Sequence, residues 1–288
     1  VAAERELADA DARMTADRDE IKYLVPTVHV KALATALAHH LPHHRFTGEG
    51  ANLLPLPRHF VTTIYFDTPA RDQFNAVVAD REHNLKLRAK EYYDLHPSLA
   101  ELATDPRQIV RYQPVMWFEL KFRDGSRTGK RRIGIPKAQV PAFFTQGAIT
   151  PEMIALQRAC YGADSEQVLR EMANYVSRYR EPMRADCLVN YRRVPWQDQA
   201  GKLRVTLDLG LAYFAPPPDL WQRKHALVRE TLGRPVGEAP HAVLELKSHE
   251  ELPGWLRELL AQSKAERARF SKFVAAAQAV REGGATRA

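Results

Sequence analysis

The sequence predicts an α+β fold built on an antiparallel sheet, and two observations lead there. Seven runs, at 61–68, 84–93, 115–123, 130–136, 187–196, 203–214 and 242–248, mostly alternate apolar and polar residues between Gly, Pro, Asn or Asp punctuation. Two other stretches, 165–180 and 253–281, repeat apolar residues at helical spacing. The 288 residues, 45% hydrophobic and 27% charged, can bury a substantial core and are too apolar for a disordered polyelectrolyte.

Taken in order, residues 1–19 are small and charged and read as a flexible or helical arm. EIKYLVP follows as a short strand stopped by Pro26, and Val28 to Leu41 carries a helical pattern. Histidines 39, 40, 43 and 44 crowd that helix end without a carboxylate or cysteine pattern, so they are assigned no chemistry. The run KFRDGSRTGKRR reads as a basic hairpin turning at Asp124 and Gly125, while 95–114 and 215–240 are Pro-containing excursions between elements. With no internal repeat and no Gly/Ser linker, residues 20–282 are expected to form one domain and 283–288 a disordered tail.

Lys and Arg number 42 against 35 Asp and Glu, a net charge of +7, which points to an anionic partner. No P-loop, GxGxxG, GxSxG, HExxH, zinc-finger or RNA-recognition signature is present, so no specific nucleic-acid partner is expected. Cys160 and Cys187 lack metal-ligand spacing and read as ordinary thiols. No apolar run approaches the ~20 residues that cross a bilayer, and no leader pattern opens the chain, so the expected location is cytoplasmic.

Parity within the strands separates the charges. Lys86, Arg88 and Lys90 oppose Leu85, Leu87 and Ala89, and Glu119, Lys121 and Arg123 oppose Phe118, Leu120 and Phe122. The split recurs for Glu20 and Lys22, for Arg204, Thr206 and Asp208, and for Glu245 and Lys247. In KRRIGI it favours Lys130 and Arg132, because Arg131 aligns with Ile133 and Ile135. One such face is an ordinary solvated sheet surface. Six of them, each carrying cations, imply that a sheet closed into a barrel would have a cationic interior, which is stable only if a polyanion enters. Glu20, Glu119 and Glu245 either pair with those cations or hold a divalent metal that binds phosphate oxygens.

The ordered series EIKY, YFDT, KLRAK, ELKF, KRRIGI, YRR, LRVTLD, AVLELK and FSKF, from about Glu20 to Phe273, resembles the VTC domain. That is the polyphosphate polymerase branch of the triphosphate tunnel metalloenzymes, which also include the CYTH phosphatases and cyclases. The resemblance implies an antiparallel barrel forming a triphosphate tunnel, peripheral helices, and a C-terminal helix closing one mouth. It implies Mg²⁺ or Mn²⁺ as cofactor, ATP and polyphosphate as partners, and transfer of the γ-phosphoryl group onto a growing chain. Lys22, Arg193 and Lys272 then resemble catalytic residues, and Lys86, Arg88, Lys121, Lys130, Arg132 and Arg204 phosphate ligands, with Arg131 able to replace Lys130 or Arg132. Glu245 resembles the metal-binding glutamate. Lys86 departs from the family's usual Arg-x-Arg, keeping the charge without the bidentate fork. The alternatives are a tunnel triphosphatase and a polyanion-binding module without turnover. No transmembrane segment accompanies the domain in this sequence, and a membrane-protein partner is left open.

Overall fold

The period-two runs form strands that pair antiparallel into one sheet of ten: β1 (Asp19–Pro26), β2 (His59–Asp67), β3 (His83–Tyr93), β4 (Val115–Asp124), β5 (Arg127–Pro136), β6 (Arg184–Gln197), β7 (Leu203–Phe214), β8 (Gly237–Glu238), β9 (His241–Ser248) and β10 (Glu266–Arg267). Around it lie α1 (Val30–His40), α2 (Asp72–Ala79), α3 (Val140–Gln146), α4 (Pro151–Tyr161), α5 (Glu166–Ser177), α6 (Gly254–Gln262) and α7 (Lys272–Ala285). This computed structural model describes residues 19–44, 59–80, 82–93, 114–124, 127–162 and 165–285. Residues 1–18 of the expected arm, nearly all of the 95–114 excursion, Gly125 of the hairpin and the last three residues of the tail lie outside the described residues, while Asp19 opens β1 and 283–285, expected in a disordered tail, continue α7 as helix.

The strand order is β10-β1-β9-β7-β6-β2-β3-β4-β5, with β8 on β7. Among the described residues no ladder joins β5 to β1 or β10, so the barrel expected from the sequence is not closed by backbone pairing. The free edge of β1 is taken by β10, with Ala268 donating to the Lys22 carbonyl at 2.9 Å. Side chains draw the two ends together instead: Lys121 on β4 lies 3.2 Å from Glu20 on β1, six steps away along the strand order. The sheet must therefore curl into a channel with a concave face.

Opposite the charged side chains, the apolar parity of the strands faces outward, against helices. Ile64, Phe66, Leu87, Phe118 and Ile133 pack under Phe143, Phe144, Leu169 and Met172 of α3 and α5. Val205, Leu207, Leu244, Leu246 and Trp196 pack with Leu33 and Leu37 of α1 and Leu256 and Leu260 of α6. A third cluster sits on the concave side, where Phe273, Val274, Ala276 and Ala277 of α7 meet Tyr65, Val189, Tyr191 and Tyr213. Helix α7 thus packs on the concave side, with Val77 of α2 in the same cluster.

The single helical segment expected over 253–281 is two helices. The chain leaves α6 at Ser263, Lys264 takes a left-handed φ of 48°, and the following residues turn to hydrogen-bond with β1 before α7 begins. Edge pairing of β1 overrides helix propensity here. Helices α2, α3 and α4 were not expected, although Pro141 and Pro151 mark first turns and Thr150 caps α4 by accepting from the Met153 amide at 3.2 Å.

A polar network ties the 215–240 excursion to the outer face. Glu91 accepts from the Lys137 ammonium at 3.0 Å and from the Leu227 amide at 3.1 Å, and both side chains are buried. Removing one member leaves the other charge buried and uncompensated. Lys137→Met is expected to cost about 3–5 kcal/mol, read as a lower urea midpoint at unchanged slope.

Candidate active site

Residues directly opposed in an antiparallel ladder project from the same face, so the register alone stacks the charged side chains in tiers. Lys86, Lys121 and Lys130 stand in one row across β3, β4 and β5, and Arg88, Glu119 and Arg132 in the next. On the other wall, Glu20, Lys247 and Arg204 share a row across β1, β9 and β7, followed by Lys22, Glu245 and Thr206. Arg193 on β6 stands opposite Asp208 on β7. Arg131 points outward, half exposed, toward Glu171 at 3.6 Å, which leaves Arg132 on the concave face.

These faces are not solvated sheet surfaces. Glu119 is 2% exposed, Lys90 7%, Arg204 9% and Asp208 fully buried. The carboxylates are divided among the cations. Glu119 holds Arg88 at 2.7 Å and Lys90 at 3.3 Å, with Arg132 at 4.0 Å. Glu20 lies 3.0 Å from Lys22 and 3.2 Å from Lys121, and Glu245 lies 3.2 Å from Lys247 and 3.9 Å from Lys22. Asp208 takes Arg193 through Nε at 2.6 Å and Nη2 at 2.8 Å, and Lys272 at 2.6 Å.

The electrostatics follow from that crowding. Burial would raise Glu119, but Lys90, Arg88, Lys130 and Arg132 hold it well below the usual carboxylate range. Glu245 and Glu20 are held low in the same way, against burial, by Lys247, Lys22 and Lys121. Three of the lysines carry the opposite strain. Burial, then Lys22, Lys121 and Arg88, push Lys86 down to about 7, while burial above all brings Lys90 and Lys121 to about 8. Cations outnumber carboxylates, and the channel lacks negative charge.

A pH dependence follows. Between about 7 and its ordinary value of 10.5, Lys86 is more protonated in the unfolded chain than in the folded one, so its contribution to stability rises with pH across that window. An arriving anion raises the Lys86 pKa and draws in a proton. Titration with tripolyphosphate at pH 8, in buffers of different ionisation enthalpy, should show more proton uptake for the wild type than for Lys86→Met.

Among the described residues no group of three His, Cys, Asp or Glu is placed to hold a metal. Glu20 and Glu245 are close enough that Glu245 raises the Glu20 pKa. Two carboxylates suffice for Mg²⁺ or Mn²⁺ where phosphate oxygens and waters complete the shell. The donor set fits such an ion, with Lys22, Lys121 and Lys247 as its competitors. Glu119 fits less well, being 2% exposed and held by two guanidinium groups, Arg88 and Arg132, as well as by Lys90.

All ten sequence-predicted site residues therefore fall on one face or touch it: Lys22, Lys86, Arg88, Lys121, Lys130, Arg132, Arg193, Arg204 and Glu245 by register, and Lys272 through its contact with Asp208. Lys90, Lys247, Asp208 and Tyr191 join them without having been assigned a role. The parity that selected Lys86 and Arg88 also selects Lys90. Tyr191, whose ring lies 5.0 Å from the Lys272 ammonium and 5.5 Å from the Arg193 guanidinium, has no signal in the sequence beyond its place beside Arg193.

No curated protein matches the chain. Among solved structures, a "putative adenylate cyclase" from Bacillus halodurans aligns with TM-score 0.46 at 12% identity, over 88% of this chain and 94% of that one. Another "putative adenylate cyclase", from Vibrio parahaemolyticus, aligns with TM-score 0.37 at 10% identity, over 88% and 95%. The model of the VTC domain matches residues 17–281. With nearly its whole length matched, and with the cationic face carried by the matched residues, this chain belongs to the VTC domain family.

Proposed function

We propose that this protein is a polyphosphate polymerase, transferring the γ-phosphoryl group of ATP onto a growing polyphosphate chain inside its cationic channel. The observation that carries the reading is the charge deficit of the concave face, where three lysines are driven down to about 7 or 8 by burial among other cations. A linear chain of phosphates supplies negative charge along the whole row, which a single carboxylate ligand does not. Membership of the VTC domain family supports the same direction.

Phosphoryl transfer through a loose transition state asks the protein for cations around the equatorial oxygens and an in-line nucleophile. In this reading Lys86, Arg88, Lys121, Lys130, Arg132 and Arg204 bind the triphosphate and keep it extended. Lys22, between Glu20 and Glu245, faces the transferring group, and Arg193 and Lys272 hold phosphate at the α7 end. A terminal oxygen of the acceptor chain forms the new bond to Pγ as the bond to the β–γ bridging oxygen breaks and ADP leaves. Mg²⁺ or Mn²⁺ on Glu245 and Glu20 would neutralise phosphate charge as the transfer proceeds.

The reading is tested by incubating the protein with ATP and Mn²⁺ or Mg²⁺, with and without chelator. Metal-dependent ADP release is expected. Tight, salt-sensitive polyphosphate binding without ADP release would make the channel a binding module, and would contradict the enzyme.

A further inference from the structure

Asp208 is an expensive residue to keep where it is: a fully buried carboxylate on the wall of a channel proposed to bind polyanions. It is not placed as a metal ligand or a proton acceptor. Oδ1 takes the Arg193 Nε, Oδ2 takes the Arg193 Nη2 and the Lys272 ammonium, and those two cations hold its pKa below the ordinary value despite burial. Arg193 and Lys272 come from different elements, β6 and the first residue of α7. Asp208 is the group that both of them contact, and the Tyr191 ring lies near both.

We infer that Asp208 is a positioning residue that joins Arg193 and Lys272 into one rigid phosphate clasp at the α7 end of the channel. The two bonds fix the plane of the guanidinium and leave Nη1 as the nitrogen turned away from Asp208. The ammonium of Lys272, a flexible four-carbon stem away from its helix, is held by one of its three protons and keeps two for a phosphate oxygen. The same contact fastens the start of α7, where Phe273 stacks on Tyr65 at 5.0 Å. The clasp rests on the polyphosphate reading for its ligand and on the Asp208 geometry for its construction.

The sign of one substitution separates positioning from bulk charge. Asp208→Asn removes a negative charge from the channel, so charge alone predicts tighter binding of a polyanion. The clasp predicts weaker binding, because both cations lose their fixed point. Calorimetric titration with tripolyphosphate is expected to show affinity at least tenfold lower for Asp208→Asn and for Lys272→Met. The double variant should be no weaker than the weaker single. In turnover, the loss should appear in KM for ATP together with kcat.

Equal or tighter binding by Asp208→Asn, or effects of the two substitutions that multiply, would overturn the clasp while leaving the proposed function standing. Failure of the wild type to bind tripolyphosphate would overturn both. If Asp208→Asn does not fold, Asp208→Glu keeps the charge and shifts the carboxylate by one methylene. Weaker tripolyphosphate binding that Lys272→Met does not weaken further supports the clasp, and wild-type affinity in Asp208→Glu contradicts it.

Discussion

Replacing Glu245 by glutamine is expected to lower turnover by about a hundredfold or more, a loss of at least about 2.7 kcal/mol of transition-state stabilisation, while the protein stays folded. The substitution keeps the shape of the side chain and removes the charge that attracts a divalent ion. Glu245 is partly shielded already, lying between Lys247 at 3.2 Å and Lys22 at 3.9 Å, so neutralising it leaves those ammonium groups with Glu20 as a second partner. Folding should therefore suffer less than activity. Activity measured across a range of Mn²⁺ concentrations checks this: the loss should be greatest at limiting metal. Near-normal turnover there would remove Glu245 from the metal site and leave Glu20 as the carboxylate to test.

Glu119 should behave in the opposite way. Its carboxylate is the shared counter-charge of Arg88, Lys90 and Arg132, deep on the concave face. Glu119→Gln strands those cations in a site that is already short of negative charge. The expected cost is about 3–5 kcal/mol of folding stability, a large part of the total for a domain. Chemical denaturation in the absence of phosphate checks it. Stability within about 0.5 kcal/mol of wild type, the range of a neutral surface substitution, would mean that the three cations find other partners and that the row is not organised around Glu119.

Much of this site was legible because a strand has a period of two. Once the strands were placed, parity alone put Lys86, Arg88, Glu119 and Lys121 on one face and Leu87 and Phe118 on the other, and the ladder repeats that assignment. Parity also separated Arg132 from Arg131. What it could not give was pairing across the channel. Lys121 meets Glu20, and Lys272 meets Asp208, through the curl of the sheet and the inward placement of α7, which no local pattern encodes. The interruption between α6 and α7 was hidden for a related reason. The residues from Ser263 to Ser271 carry no Pro or Gly, and they leave the helix because the edge of β1 offers backbone bonds. The short helices α2, α3 and α4 were missed because seven to eleven residues give little periodicity to read, although Pro141, Thr150 and Pro151 marked two of the starts. Closure of the sheet was expected from the family likeness; among the described residues no last backbone ladder closes it, and the Lys121–Glu20 ion pair spans the channel from β4 to β1 instead.

The central claim is that the channel builds a phosphate chain from ATP. Incubation with ATP labelled at the γ-phosphate, Mn²⁺ and a short polyphosphate primer tests it most directly. The account predicts label in acid-stable chains that lengthen with time on a urea gel, with ADP released in step. Label recovered only as orthophosphate would contradict it, and would make water the nucleophile in this channel.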